Sequence, residues 1–550
     1  MKNGKKKIGL TFLGIVALLA ALFLYYYITL PAINIHSTET WWSIFIILLI
    51  LAAILAIRKF RKEQKNFKDL AGLPPRSKLK ELGAAKYILY LMAVLAAVLI
   101  VGIILSSPIV NAKKYQNLMQ VQERVFHQDI SQADFSTIPI LDKDSASLLG
   151  NRKMGSMVDM VSQFEVADDY SQINVNNRPV RVTPLVYASA IKWLTNQSNG
   201  IPAYIKIDMT TQDTECVKLD QPIRYSKSEY FNRNIYRHLR FKYPTYIFDN
   251  QIFFEIDDEG TPYWICPVKK FSIGLFGGQV IGKVVLCNAQ DGSCTSYEID
   301  EVPQWVDKVY QAELLLNLYD YSGTLKHGFF NSVLGQKDCL QTTNGYNYIA
   351  LDDDVWVYSG VTSVSGDQSN VGFVLMNQRT METRFYKVEG AIEDSAMSSA
   401  EGQVQNLGYH ATFPLLLNIA GEPTYFMALK DAAGLVKKYA MVNIQKYQWV
   451  AIGDTITDCQ KAYSELLTTN GISATENGLV EETSGKIANL MSVIIDGNTH
   501  IYLTLEGKED IFDIDMANAN LIQIVHYQIG DRIKMKYIPG RDPQTVTELP

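Results

Sequence analysis

Residues 282–300, GKVVLCNAQDGSCTSYEID, give the clearest indication of the fold. An apolar run ends at Cys287, a cluster of turn-forming residues follows, and a second alternating run ends at Ile299. Two short runs around such a cluster predict a β-hairpin. The next segment, VPQWVDKVYQAELL, has helical spacing of its apolar residues. The unit predicted here is therefore a hairpin followed by a helix.

Similar units recur along the chain. VGFVLMNQRTMETRFYKVEG fills residues 371–390, YFMALKDAAGLVKKYAMVNI fills residues 425–444, and weaker copies lie at 203–219 and 252–268. A hairpin alone cannot bury its apolar face, so either the helix covers each hairpin or neighbouring units stack. We expect repeated α+β modules, each an antiparallel hairpin plus a helix, over residues 166–470.

These units resemble PepSY modules, which are small extracytoplasmic α+β domains found beside bacterial membrane spans. The residues that carry the resemblance are the strand-turn-strand runs 284–299 and 371–388. The resemblance implies a role in binding other proteins, including inhibition of peptidases. It also implies a bacterial cell envelope as the setting.

Three apolar runs precede these units, at about residues 8–30, 41–57 and 87–105. A helix rises 1.5 Å per residue, so about 20 apolar residues cross the roughly 30 Å hydrocarbon core of a membrane. We therefore expect a transmembrane region with three spans in residues 1–110. Helical spacing in the following residues predicts a helical stalk over residues 111–165.

The positive charges predict an orientation. Lys or Arg occurs at positions 2, 5, 6 and 7, and again at 58, 59, 61, 62, 65, 68, 76, 78, 80 and 86. The loop at 31–40 has neither. Because basic loops stay in the cytoplasm, we expect a cytoplasmic N-terminus and a large extracytoplasmic C-terminal region in a multi-pass membrane protein. The basic loop also suits anionic lipid headgroups as partners.

The end of the chain differs in character. A linker at residues 471–484 precedes several short strands over residues 485–550, which resemble a small all-β barrel of the OB type. A nucleic-acid-binding barrel needs a basic face, but two lysines at 534 and 536 are opposed by acidic residues at 506, 509, 510, 513 and 515. With a formal net charge of −6 for the whole chain, we expect no nucleic acid partner.

Two groups of charged residues are candidate binding sites. Asp352 and Asp354, read as residues of one strand, point to the same face and could share a Ca²⁺ ion with Asp367 or Asn370. A polar strand edge is the alternative. Arg233, Arg237 and Arg240 lie at spacings of four and three, and hence on one helical face that suits an anionic partner. The alternative is a solvated face, or pairing with the next hairpin.

Nothing in the sequence forms a set of nucleophile, base and orienting residue. Six cysteines are scattered, and Cys287 and Cys294 either form a disulfide across a turn or remain free thiols. Without a C-x-x-C pair, the sequence predicts no zinc site. We expect a non-enzymatic, membrane-anchored scaffold, assembly or binding protein of a bacterial envelope, with an envelope protein or a second copy as partner. An envelope enzyme or peptidase regulator acting on peptides or wall polymer is the alternative.

Overall fold

The computed structural model describes residues 2–63, 82–133, 138–139, 141–364, 369–470, 472, 480–495, 498–516, 518–538 and 543–549. The helices are α1 (Lys2–Thr29), α2 (Thr38–Glu63), α3 (Ala85–Ser106), α4 (Pro108–Gln116), α5 (Phe126–Asp129), α6 (Lys143–Gly155), α7 (Ala190–Asn196), α8 (Ile235–Lys242), α9 (Ala312–Thr324), α10 (Glu393–Gln403) and α11 (Ile456–Thr469).

The strands are β1 (Val121–Arg124), β2 (Phe164–Val166), β3 (Ser171–Val175), β4 (Arg178–Tyr187), β5 (Ile201–Asp208), β6 (Thr214–Ile223), β7 (Phe253–Ile256), β8 (Pro262–Ile273), β9 (Gly277–Asn288), β10 (Cys294–Glu298), β11 (Leu340–Thr342), β12 (Asn347–Leu351), β13 (Asp354–Ser363), β14 (Ser369–Asn370), β15 (Gly372–Asn377), β16 (Thr383–Tyr386), β17 (Gly390–Ala391), β18 (His410–Ala411), β19 (Leu415–Ile419), β20 (Glu422–Lys430), β21 (Val436–Asn443), β22 (Val450–Gly453), β23 (Glu481–Ile495), β24 (Asn498–Leu505), β25 (Ile511–Asp515), β26 (Arg532–Ile538) and β27 (Gln544–Glu548).

Two described helices are long and apolar enough to cross a membrane, Thr38–Lys62 in α2 and Ala85–Ser106 in α3. The described apolar part of α1, Val16–Thr29, is shorter. Its last turn packs against the β-rich region, where the Tyr26 and Phe241 rings meet edge-on with centroids 5.6 Å apart. The expected region of three spans is therefore wrong as a fold description, because two described helices meet the length and composition of a span.

Four antiparallel sheets follow the apolar helices. Their main strand orders are β3-β4-β5-β6, β7-β8-β9-β10, β12-β13-β15-β16 and β19-β20-β21-β22. Short strands extend three of them: β2 pairs with β4, β1 and β11 join the third sheet, and β18 pairs with β20. The first strand of each sheet lines one cavity, through Gln172, Phe253, Tyr348 and Leu415. The sheets thus face a common centre, as the blades of a β-propeller do.

The apolar cores lie mainly between neighbouring sheets. Ile205 of the first sheet packs in one cluster with Trp264 of the second, and Val284 of the second packs with Val374 of the third. The Phe373 and Tyr425 rings join the third and fourth sheets edge-on, at 6.0 Å between centroids. The expected modules of hairpin plus helix are therefore wrong as a fold class. Each hairpin is part of a larger sheet that buries its face against the next sheet.

Helices cover the ends of this series of sheets. On the outer face of the fourth sheet, Tyr463 and Leu467 of α11 pack with Phe426 and Met441. At the other end, Ala146 and Met154 of α6 join the core of the first sheet. The predicted stalk at 111–165 is thus only partly helical, since β1 also pairs in parallel with β16.

Five strands close a barrel at the C-terminus, in the order β23-β24-β25-β27-β26. Its interior contains Ile487, Leu503 and Phe512, which are almost fully buried. Ile538 of β26 packs instead with the core beside α11, so the barrel contacts the fourth sheet. Most of the predicted linker, 471 and 473–479, lies outside the described residues.

Candidate functional site

A cavity of about 810 Å³ lies where the first strands of the four sheets meet. Its wall is completed by the segment before α6 and by the loop before α9. Two cations that are each 7% exposed, Arg181 and Lys308, line it. Buried cations are rare unless they are paired, so this cavity is the candidate functional site.

Lys308 is held between aromatic rings at the cavity wall. Its Nζ lies 4.9 Å from the Tyr348 ring centroid and 5.6 Å from that of Phe253. Burial, and then the neighbouring Arg181 guanidinium, lower the pKa of Lys308 to about 8. The ammonium group therefore remains mostly charged at neutral pH, in a place where an anion would interact with it strongly.

Arg181 projects from the apolar strand β4. Its Nε donates to the Leu141 carbonyl at 3.3 Å, and its Nη2 donates to the Gln172 side chain at 3.2 Å. Both acceptors are neutral, and burial lowers the pKa of the guanidinium. Among the described residues, no carboxylate oxygen lies within the 4.0 Å of an ion pair from Arg181 or Lys308. Both cations thus lack an ionic partner of their own in that part of the chain.

A buried carboxyl group fixes the loop that carries Lys308. The two oxygens of Glu255, on β7, accept the backbone N–H groups of Asp307 and Lys308, each at 2.9 Å. Burial raises the pKa of Glu255 to about 7, although these hydrogen bonds oppose the shift. Asp307 in turn accepts the Asn174 backbone N–H at 2.6 Å, which ties the loop to β3. The first two sheets therefore position Lys308 together.

Lys430 and Glu313, two other charged residues around the cavity, already have polar partners. Lys430 of β20 contacts Asp142, which caps the N-terminus of α6 by accepting the Ser145 N–H at 2.9 Å. Glu313 accepts a hydrogen bond from the Tyr346 hydroxyl group, with 2.6 Å between the two oxygen atoms. Burial opposes ionisation of Asp142, but the hydrogen bonds from Lys430 and Ser145 hold its pKa below its ordinary value. Arg181 and Lys308 are therefore the buried cations available to a ligand in this cavity, whereas Lys143, which also lines it, is exposed.

Arg181 and Lys308 together suit one anionic group. A guanidinium presents a planar fork that matches a carboxylate or a phosphate, while an ammonium acts as a point charge. An anion placed between them would offset the cost of burying both charges. The aromatic rings of Tyr348 and Phe253 add an apolar wall for the part of the ligand that follows the anionic group.

Neither Arg181 nor Lys308 was predicted from the sequence as a site residue. Arg181 is the charged residue inside the apolar run PVRVTPLVY, and Lys308 lies inside WVDKVY. A charge within an apolar strand pattern was the available signal, since such a residue is rarely buried without a partner or a ligand. The two positions are far apart in the sequence and lie on separate elements, so their proximity requires the packing of the sheets.

The predicted arginine face binds the end of α1. Arg237 donates from Nε to the Tyr27 carbonyl at 3.2 Å, and Arg240 donates from Nε to the Leu30 carbonyl at 2.9 Å. The Arg237 guanidinium also lies 4.3 Å from the Tyr27 ring centroid. The last carbonyls of a helix lack intrahelical donors and carry partial negative charge, which favours cations there.

The third arginine has a different contact. Arg233 donates to the Gln197 carbonyl at 2.5 Å, within the β-rich region. An anionic partner at this face would have to compete with these carbonyl bonds, and its binding stays a prediction.

The β8–β9 hairpin makes a second contact with the apolar helices. The Ser106 hydroxyl, at the end of α3, accepts the Leu275 and Phe276 N–H groups at 2.7 and 3.1 Å. In the loop before α2, the His36 Nδ1 atom lies 2.7 Å from the Leu275 carbonyl oxygen. The end of α3 and the start of α2 therefore lie against the same surface of the β-rich region.

Two of the predicted calcium ligands, Asp352 and Asp354, have different surroundings in the structure. Leu351 pairs with Asp354, so Asp352 and Asp353 form a two-residue turn with φ of 54° and 61°. The Arg379 guanidinium donates two hydrogen bonds to the Asp354 carboxylate, at 2.7 and 2.8 Å. Asp352 has a side chain that is 73% exposed. Asp367 lies outside the described residues, so the three-carboxylate site stays a prediction.

No family model and no curated protein matches this chain. Among solved structures, a β-fructofuranosidase of glycoside hydrolase family 32 from Bombyx mori is 8% identical, covers 74% of this chain and 70% of that chain, and has a TM-score of 0.17. A mutant of that enzyme in complex with sucrose is 9% identical, with coverages of 72% and 69% and a TM-score of 0.18. Similarity this low carries no argument about fold or activity.

Proposed function

We propose that this chain is a membrane-anchored extracytoplasmic binding protein of a bacterial envelope, and that its central cavity receives a carboxylate-bearing segment of an envelope protein. The observation that carries the proposal is a pair of buried cations: Arg181 has neutral hydrogen-bond acceptors and Lys308 has aromatic neighbours, and neither forms an ion pair within the described part of the chain. A carboxylate can interact with the remaining N–H groups of Arg181 and with the point charge of Lys308 together.

Binding fits the site better than catalysis does. Glu255 has a pKa of about 7, which is in the range useful for acid–base chemistry. Both of its oxygens, however, accept backbone N–H groups, and its role is to fix the loop of Lys308. An enzyme acting on peptides or wall polymer would need a proton-transfer group that reaches the ligand. The alternative function, regulation of a peptidase, would use the same cavity, with a peptidase as the partner.

The extracytoplasmic orientation rests on charge and on two contacts. The basic segment that begins at Arg58 follows α2, whereas the loop at 31–40 before α2 has no Lys or Arg. That loop and the end of α3 both contact the hairpin at Leu275. With the basic segment in the cytoplasm, the β-rich region lies on the outer side.

Calorimetric titration of the full-length protein in detergent micelles tests the cavity. The probe is an acetylated triglutamate peptide, with uncharged acetylated triglutamine as the comparison. We expect the acidic peptide to bind and the triglutamine peptide not to bind. Arg181→Gln and Lys308→Met should each weaken binding at least about tenfold, since loss of a charge-assisted hydrogen bond costs about 1.5–3 kcal/mol.

Matched controls are available on the surface. Arg152 and Lys326 are exposed, and Arg152→Gln and Lys326→Met should leave the affinity unchanged. Equal affinity of the two peptides would contradict the proposal, as would unchanged affinity in the two cavity variants. Circular dichroism of each variant establishes that a lost affinity does not come from a lost fold.

A further inference from the structure

A cluster of soft metal ligands lies on the hairpin β9–β10, away from the central cavity. Cys287 and Cys294 are opposite each other in the register of this hairpin. The connecting turn closes with the Asn288 N–H donating to the Ser293 carbonyl at 2.8 Å. Gly292 has φ of +76°, and a Cβ atom there would lie 2.4 Å from the Tyr225 ring, so this position requires glycine. The turn therefore fixes the directions of both thiols.

His238 of α8 completes the cluster. One ligand atom from each of His238, Cys287 and Cys294 lies within 4.8 Å of the other two. The imidazole is held by the Tyr225 ring, with centroids 4.6 Å apart. Cys287 is buried, whereas Cys294 and His238 are half-buried, so an ion can enter from their side. Two thiolates and an imidazole are ligands that zinc prefers.

A backbone oxygen lies among these three side chains. The Gly292 carbonyl oxygen is 2.7 Å from His238 Nε2, 3.4 Å from Cys294 Sγ and 3.9 Å from Cys287 Sγ. Ligands of one tetrahedral zinc ion are roughly 3.3–3.8 Å apart, given Zn–S and Zn–N distances of about 2.3 and 2.0–2.1 Å. The distances from the carbonyl oxygen to the two sulfur atoms are close to this spacing, whereas its distance to the imidazole nitrogen is shorter. Binding would replace the contact between His238 and this carbonyl by bonds to the ion.

We propose that His238, Cys287 and Cys294 bind one zinc ion, with the fourth position taken by the Gly292 carbonyl or by water. Both thiols lose their protons to solvent on binding, as zinc ligands must. The ion would join α8 to the β9–β10 hairpin. Since α8 also carries Arg237 and Arg240, zinc would stabilise the helix that contacts the end of α1.

Cobalt(II) titration of the reduced full-length protein in detergent tests the proposal. Cobalt takes the place of zinc and gives a thiolate-to-metal absorption band when cysteine is a ligand. We expect one equivalent of cobalt to produce the band and one equivalent of zinc to remove it. Cys294→Ser and His238→Gln should weaken binding by more than the roughly 10–100-fold that loss of an outer-shell partner costs.

Cys216→Ser is the matched control, because Cys216 is a half-buried thiol on β6 outside the cluster. It should bind cobalt like the wild type. Zinc should also raise the unfolding temperature of the wild type and not that of Cys294→Ser, which checks that the variant folds. A wild type without the band would overturn the proposal. The proposal would also be overturned if Cys287 and Cys294 form a disulfide in the oxidised protein and the reduced protein binds no cobalt.

Discussion

The charge of Lys308 depends on what occupies the cavity. Burial and Arg181 lower its pKa to about 8, whereas an anion beside it would raise that pKa again. Affinity for a carboxylate ligand should therefore change little between about pH 5.5, where the ligand is ionised, and pH 7. Above pH 8 it should fall by up to about tenfold per pH unit, because the lysine must first take up a proton.

Calorimetry of the triglutamate peptide in two buffers of different ionisation enthalpy measures this proton uptake near pH 8. Lys308→Met should bind weakly and show neither the uptake nor the decline. An affinity of the wild type that stays constant from about pH 7 to pH 10 would show that Lys308 does not contact the anion. The glutamate side chains of the peptide do not titrate from pH 7 to pH 10, since their ordinary pKa is about 4.3.

Individual elements were easier to predict than the contacts between them. The alternation in residues 282–300 correctly indicated β9 and β10, since periodicity reports which residues share a face of one strand. It does not report which other element covers that face, so helices were expected where neighbouring sheets pack. Asp352 was misread for a related reason. Two consecutive left-handed residues make a hairpin turn that the strand pattern does not reveal.

The contact between α8 and the end of α1 can be tested as an element pair. Asn34, in the loop after α1, donates to the Thr245 carbonyl at 3.0 Å, and Asn34→Cys with Thr245→Cys should form a disulfide on oxidation. Replacing both Arg237 and Arg240 by Gln should lower the yield of this disulfide. Each replacement removes a charged donor from a helix-terminal carbonyl, at a cost of about 1–3 kcal/mol.

Arg233→Gln is the control for that experiment, because Arg233 bonds the Gln197 carbonyl and not α1. It should leave the disulfide yield unchanged. Equal yields in the double variant and the wild type would mean that the arginines do not hold this contact. Non-reducing electrophoresis of membranes gives the yield directly.

At the scale of the whole molecule, the cavity and the membrane-side contacts lie on different parts of one series of packed sheets. The first sheet supplies Arg181, the second supplies the hairpin that touches Ser106, and they share a core around Trp264. A ligand in the cavity and the apolar helices thus contact the same packed body. The sequence could not show this arrangement, because the cores form between segments far apart in the chain.

The orientation of this body is open to direct measurement. Ser198 is exposed after α7 in the first sheet, and Arg58 is exposed near the end of α2. In a background with Cys216→Ser and Cys294→Ser, which removes both half-buried thiols, Ser198→Cys should react with a membrane-impermeant maleimide in intact cells. Arg58→Cys should react only after the membrane is opened, because a basic segment remains in the cytoplasm. The opposite pattern would place the cavity inside the cell and remove the envelope partner from the proposed function.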